Sequence, residues 1–154
     1  MGIKPTGVHH VGITVRDMQR SFEWYSKMFD LEPGAVSQGS GEPLSTSLQV
    51  KQAELSFSMI SIGDTRIEFL QYHNPIGKDF DRSNGDVGSA HVCFEVSDVD
   101  EAYRELTERG AVFNGPPITL VDGAFAGSKW AYLRDPDGIQ LEIWEAPANR
   151  SEER

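Results

Sequence analysis

The sequence predicts an α+β fold assembled from two βαβββ modules. Two observations carry that prediction. One is an internal repeat at a spacing of 81 residues, and the other is a pair of apolar hairpins that align at a spacing of 74. Self-similarity at a fixed period fixes the architecture before any single element is argued.

Sliding the chain by 81 residues places His10 on His91, Val11 on Val92, Ile13 on Phe94, Val15 on Val96 and Asp17 on Asp98. Met18 then falls on Val99, Ser21 on Ala102 and Phe22 on Tyr103. Each copy opens with a strand. In "HVGITV", Val11, Ile13 and Val15 share one face, while His10, Gly12 and Thr14 share the other. A helix follows, capped by Asp17, with Met18, Phe22, Tyr25 and Phe29 at helical spacing and Pro33–Gly34 as its stop. In the second copy Asp98 is the cap, with Glu101 three residues on. Val99, Ala102, Tyr103 and Leu106 form the apolar stripe, and Gly110 ends the helix.

Each copy closes with a hairpin. "ELSFSMISI", "GD" and "TRIEFLQY" read as two strands around a Gly63–Asp64 turn. "SKWAYLR", "DPDG" and "IQLEIWE" read as the second hairpin, with Pro136 and Gly138 at the turn positions that suit them. The two offsets differ, so the first copy carries a longer loop, and "SQGSGEPLS" (37–45) is the candidate for it. Module one spans about 7–72 and module two about 88–146, with a polar tail after them. A copy of half the chain is a marginal domain alone, so the expectation is a single domain in which both copies share one core.

With 38% apolar and 25% charged residues, the 154-residue chain falls in the soluble globular class. A net charge of −10 argues against a nucleic-acid footprint and against an anionic membrane surface. Cys93 is the single cysteine, which points to a reducing, cytoplasmic setting. The opening "MGIKPTG" has no signal-peptide core, and the tail "ANRSEER" reads as frayed.

Glu68 and Glu142 each sit inside an apolar hairpin strand. A carboxylate in a sheet interior is costly unless it is paired or bound to a metal. Each repeat also supplies a histidine, His10 or His91, at the equivalent place on its opening strand. If the copies pack about a pseudo-twofold axis, the four side chains converge as an N/O ligand set for Mn, Fe, Co, Ni or Zn. Two further coordination positions would stay open for a substrate with two adjacent oxygens. Either glutamate taken singly reads equally well as a solvent-facing residue, and His10 as a core histidine. The coincidence across two copies favours the ligand reading. Parity puts His9 on the face opposite His10, and Cys93 reads as small apolar filling. Lys129, Trp130 and Tyr132 are read either as pocket lining or, for the two aromatics, as core. Segment 73–88 is read as either a substrate cover or a plain crossover.

The stretches "HHVGITVRD", "IEFLQY", "AHVCFEVSD" and "DPDGIQLEIWE" resemble the vicinal oxygen chelate superfamily, which includes glyoxalase I, methylmalonyl-CoA epimerase, extradiol dioxygenases and bleomycin and fosfomycin resistance proteins. The resemblance covers about residues 6–146. It implies a cupped mixed sheet around a divalent ion held by His10, Glu68, His91 and Glu142, in a homodimer. Thr14 and Tyr72 stand where glyoxalase I enzymes carry a basic residue and an asparagine for glutathione. "EFLQYHNPIGKDF" and "GSKWAYL" are similar to segments of the epimerase branch, although Ser56 stands where methylmalonyl-CoA epimerases often carry a catalytic glutamate.

The expected function is therefore a metal-dependent epimerase or isomerase acting next to a carbonyl through a metal-stabilised enediolate. Glu142 and Glu68 are the expected bases, and the expected substrate is a methylmalonyl-CoA-like thioester or a cyclitol- or sugar-like ketone. The alternatives are an Fe(II) extradiol-type dioxygenase and a non-catalytic small-molecule-binding or resistance protein.

Overall fold

A computed structural model describes residues 2 and 4–148. Of the polar tail, residues 149–154 lie outside the described residues, as do Met1 and Ile3 of the opening segment. The chain divides into two compact units, Met1–Asp79 and Phe80–Arg154. The boundary falls inside segment 73–88, which has no helix or strand after Asn74 until His91.

The first unit runs β1 (Val11–Thr14), α1 (Met18–Phe29), β2 (Ser37–Ser40), α2 (Glu42–Leu48), β3 (Glu54–Ile62) and β4 (Thr65–Asn74). Its four-stranded sheet has the order β1-β4-β3-β2, with β1 parallel to β4 and the other pairs antiparallel. The second unit runs β5 (His91–Glu95), α3 (Val99–Arg109), β6 (Val112–Phe113), β7 (Ile118–Thr119), β8 (Lys129–Arg134) and β9 (Gln140–Glu145). Its sheet has the order β5-β9-β8-β6, with β7 also on β8 and β5 parallel to β9. The fold is thus α+β with two mixed sheets, and each unit follows the predicted β-α-β-β-β order with one insertion, α2 in the first and β7 in the second.

Both long helices start where the sequence places them. The Asp17 carboxylate accepts from the Arg20 amide at 3.0 Å, and the Asp98 carboxylate accepts from the Glu101 amide at 2.9 Å. Each bond satisfies an orphan donor of the first turn. Gly110 closes α3 with φ 98°, a left-handed conformation that glycine adopts without strain.

One face of each sheet is buried beneath its helix. In the first unit Ile13, Val15, Ile60, Ile67 and Phe69 are buried along with Met18, Phe22, Tyr25 and Met28. Phe69 meets Phe22 and Tyr25 edge-on, with ring centroids 5.9 and 4.9 Å apart. In the second unit Val99 and Leu106 are buried with Phe94, Ala131, Leu133, Leu141 and Ile143. Each such side chain contributes about 1.5–3 kcal/mol by leaving water. The opposite face of each sheet therefore needs no apolar residues, and there the polar residues of interest sit.

Four expectations change. Residues 37–45 are not a loop: they form β2 at the sheet edge and the start of α2. Pro43 sits in the first turn of that helix, where its missing N–H is harmless. Helix α1 ends at Asp30 in a left-handed conformation, before Pro33 and Gly34 are reached. Met28 rather than Phe29 completes its buried stripe. In α3, Ala102 and Tyr103 are only half-buried, since the helix turns just Val99 and Leu106 fully inward.

Candidate metal centre

Strand pairing places the two glutamates in matching surroundings. Glu68 on β4 is flanked by Gly12 on β1 and Met59 on β3. Glu142 on β9 is flanked by Cys93 on β5 and Tyr132 on β8. Neighbours across a ladder share a face. Alternation then puts Ile67 and Phe69, and likewise Leu141 and Ile143, on the helix side. Both carboxylates consequently stand on the face away from the helix.

Each glutamate meets its histidine. His10 Nε2 is 3.3 Å from Glu68 Oε2, and His91 Nε2 is 3.0 Å from Glu142 Oε2. The carboxylate side chains are 16% and 12% exposed and the imidazoles 35% and 41%, so each pair is a half-sunken acid beneath an accessible ring. The solvent-facing reading of the glutamates is set aside by this burial and contact.

The donor set fits a divalent ion. Two ligand atoms about 2.1 Å from one ion, at right angles to each other, stand about 3.0 Å apart. The two N···O separations are close to that value. One imidazole nitrogen and one carboxylate oxygen per unit suit borderline cations such as Zn, Co, Ni, Mn and Fe. Among the described residues, no group of three or more His, Cys, Asp or Glu side chains is placed to hold a metal ion. What each unit offers by itself is a pair.

His9 departs from expectation. Its Nδ1 is 2.8 Å from His10 Nδ1, and the rings meet edge-on. Both residues precede the first residue of β1, so strand parity does not separate them. With Nδ1 engaged by His9, His10 turns Nε2 toward Glu68, the arrangement that fixes a ligating imidazole's orientation.

Cys93 also departs from expectation, because it is exposed rather than buried filling. It opposes Glu142 directly across the ladder. Lost solvent at the sheet surface, then the negative charge of Glu142, pushes the thiol up to about 12. Tyr132 is pushed up to about 12 by the same two influences in the same order. Its hydroxyl is also 3.5 Å from His91 Nε2. Tyr132 and Trp130 are half-buried on the Glu142 face, so neither belongs to the helix-side core. Trp144, which pairs with Trp130, adds a third aromatic there that the sequence reading did not single out. Lys129 is committed elsewhere, in an ion pair with Asp100 that raises its pKa chiefly through the hydrogen bond.

Ser56 is buried, and alternation along β3 puts it on the face opposite Met59 and hence away from Glu68. Its Oγ lies 2.8 Å from His73 Nε2. In segment 73–88 the Arg16 guanidinium donates to the Gly77 carbonyl at 2.8 Å and to the Asp79 carboxylate at 2.6 Å, which ties the segment's first half to the end of β1.

The glyoxalase/bleomycin resistance protein/dioxygenase superfamily model matches residues 7–143. The chain belongs to that superfamily. Among curated members, a 2-epi-5-epi-valiolone epimerase from Actinomyces is 32% identical over 146 residues, covering 92% of this chain and 80% of the relative. The mitochondrial methylmalonyl-CoA epimerase of Bos taurus is 26% identical over 107 residues, covering 66% of this chain and 53% of that protein. A glyoxalase family protein from Bacillus cereus has the same fold, with a TM-score of 0.77 at 21% identity over 94% of this chain and 97% of its own. Membership in the glyoxalase superfamily thus comes with epimerases among its curated relatives. No helix among the described residues is long and apolar enough to cross a membrane.

Proposed function

We propose that the chain is a metal-dependent epimerase acting at the carbon next to a carbonyl. The observation that carries the reading is the repeated His–Glu pair, one per unit at equivalent positions on equivalent strands. The 32% identity to a valiolone epimerase points the substrate class toward a cyclitol- or sugar-like ketone, with a methylmalonyl-CoA-like thioester as the related case.

In this reading His10, Glu68, His91 and Glu142 hold one divalent ion, which requires the two pairs to face a common point. The ion would polarise the substrate carbonyl and so acidify the neighbouring C–H. The chain's own residues do the rest. The histidines, with His9 beside His10 and Tyr132 beside His91, would each present Nε2 to the centre. One glutamate accepts the α-proton from one face of the carbon, and its counterpart returns a proton to the other. Trp130, Tyr132 and Trp144 give the Glu142 face half-buried aromatic walls.

The test is exchange of the substrate α-proton in deuterated water, on a panel of cyclitol ketones and α-branched acyl thioesters with Co²⁺ or Zn²⁺ supplied. Exchange with inversion at that carbon is expected. Absence of exchange across the panel in metal-loaded protein overturns the reading.

A further inference from the structure

One end of the second unit's sheet carries a cluster that the proposed metal centre does not use. Trp130 on β8 stands across the ladder from Trp144 on β9, and Glu95 on β5 stands across from Trp144 on its other side. All three share a face with Glu142, because Trp144 follows it by two residues along β9. Both indoles are half-buried and Glu95 is exposed. Large aromatics ordinarily fill a core, but the core of this unit lies on the opposite face, with Val99, Leu106, Leu141 and Ile143.

The spacing suits a six-membered ring. Two residues along a strand span about 6.6 Å, so a ring whose reacting carbon lies at Glu142 has its far edge over Trp144. Opposed side chains have Cβ atoms about 5 Å apart, so the two indoles form one apolar patch. A cyclitol or sugar ring presents a face of C–H bonds, whose partial positive charge is drawn to the negative face of an aromatic ring. Its hydroxyls project from the rim and donate hydrogen bonds to a carboxylate. An anionic group in the same place is repelled by Glu95, in a chain of net charge −10. Both cations of β8 are engaged elsewhere, Lys129 with Asp100 and Arg134 with Asn114.

We propose that Trp130, Trp144 and Glu95 are specificity-determining residues that seat an uncharged polyhydroxylated ring ketone against Glu142 and disfavour phosphorylated and coenzyme A-linked substrates. The inference rests on the epimerase reading for its reacting carbon and names the substrate class of that site.

The test uses the whole chain with Co²⁺ supplied, and its probes are a pentahydroxycyclohexanone, the phosphate monoester of that ketone and propionyl-CoA. Calorimetry gives the affinities, and tryptophan emission reports where the ketone sits. The sequence holds three tryptophans, so Trp24→Phe leaves Trp130 and Trp144 as the reporting indoles. The neutral ketone is expected to bind most tightly and to shift emission in that background. Trp130→Ala and Trp144→Ala are each expected to weaken it about tenfold, with Trp144→Phe keeping most of the affinity. Glu95→Gln is expected to narrow the preference for the ketone over its phosphate ester. Unaltered ketone affinity in both alanine variants overturns the inference. So does binding without an emission change in the Trp24→Phe chain, a readout that needs neither alanine variant to fold. Tighter binding of the phosphate ester or the thioester, or no binding of any probe, also overturns it. The epimerase reading stands or falls separately, on α-proton exchange across the wider panel.

Discussion

Glu68 and Glu142 sit on sheets that could have been apolar throughout, and each is met by an imidazole within 3.3 Å. In the proposed centre each carboxylate is both a ligand and a base, so Glu142→Gln or Glu68→Gln should lower α-proton exchange at least 100-fold. Circular dichroism of both variants should match the parent, since neither carboxylate lies in the helix-side core. Cys93 gives a second expectation. A thiol raised to about 12 is almost wholly protonated at pH 8, and the thiolate is the nucleophile. Iodoacetamide should therefore alkylate the metal-free chain at least tenfold more slowly than a free cysteine. Glu142→Gln, which removes the neighbouring negative charge, should speed that reaction. The two His–Glu pairs were legible from the repeat, because two polar interruptions at one offset are hard to explain as surface chance. His9, Tyr132 and Cys93 were not. Their roles depend on where a strand begins and what lies across the ladder, and a linear spacing reports neither.

At the level of elements, the two helix caps and both hairpin turns were legible because they depend on residues within four positions of each other. Replacing Asp98 with Ala should cost about 1 kcal/mol of stability in urea unfolding, since the Glu101 amide loses its acceptor. Gly34 provides a harsher case. Its amide donates to the Met59 carbonyl at 2.9 Å, and an added Cβ would stand 2.8 Å from that same oxygen. Gly34→Ala should destabilise the chain by about 1–3 kcal/mol in the same assay, because backbone must move to relieve the contact. Helix α2 was not legible. Gly, Pro and Ser over 37–45 are loop formers by composition, and only Pro43 at a helix start with Ser45 receiving the Ala53 amide shows why they fold.

For the molecule as a whole, two polypeptide repeats each build a sheet with one face under a helix and a His–Glu pair on the other. The pairs were readable in the sequence, whereas the residues flanking each glutamate were not, since strand register sets them. Both Cys93 and Tyr132 hold their protons more tightly in the folded chain. Their contribution to stability is complete below about pH 9 and is lost as pH climbs toward about 12. Metal-free protein should therefore melt at falling temperature over that window, and Tyr132→Phe should fall less steeply. The most direct test of the central claim, that one pair from each unit acts on a common ion, is the stoichiometry of bound Co²⁺ in the parent, His10→Ala and His91→Ala chains. The account predicts one ion per chain in the parent, with affinity falling at least tenfold in either variant. Two ions per chain, or full affinity after loss of one histidine, would contradict it.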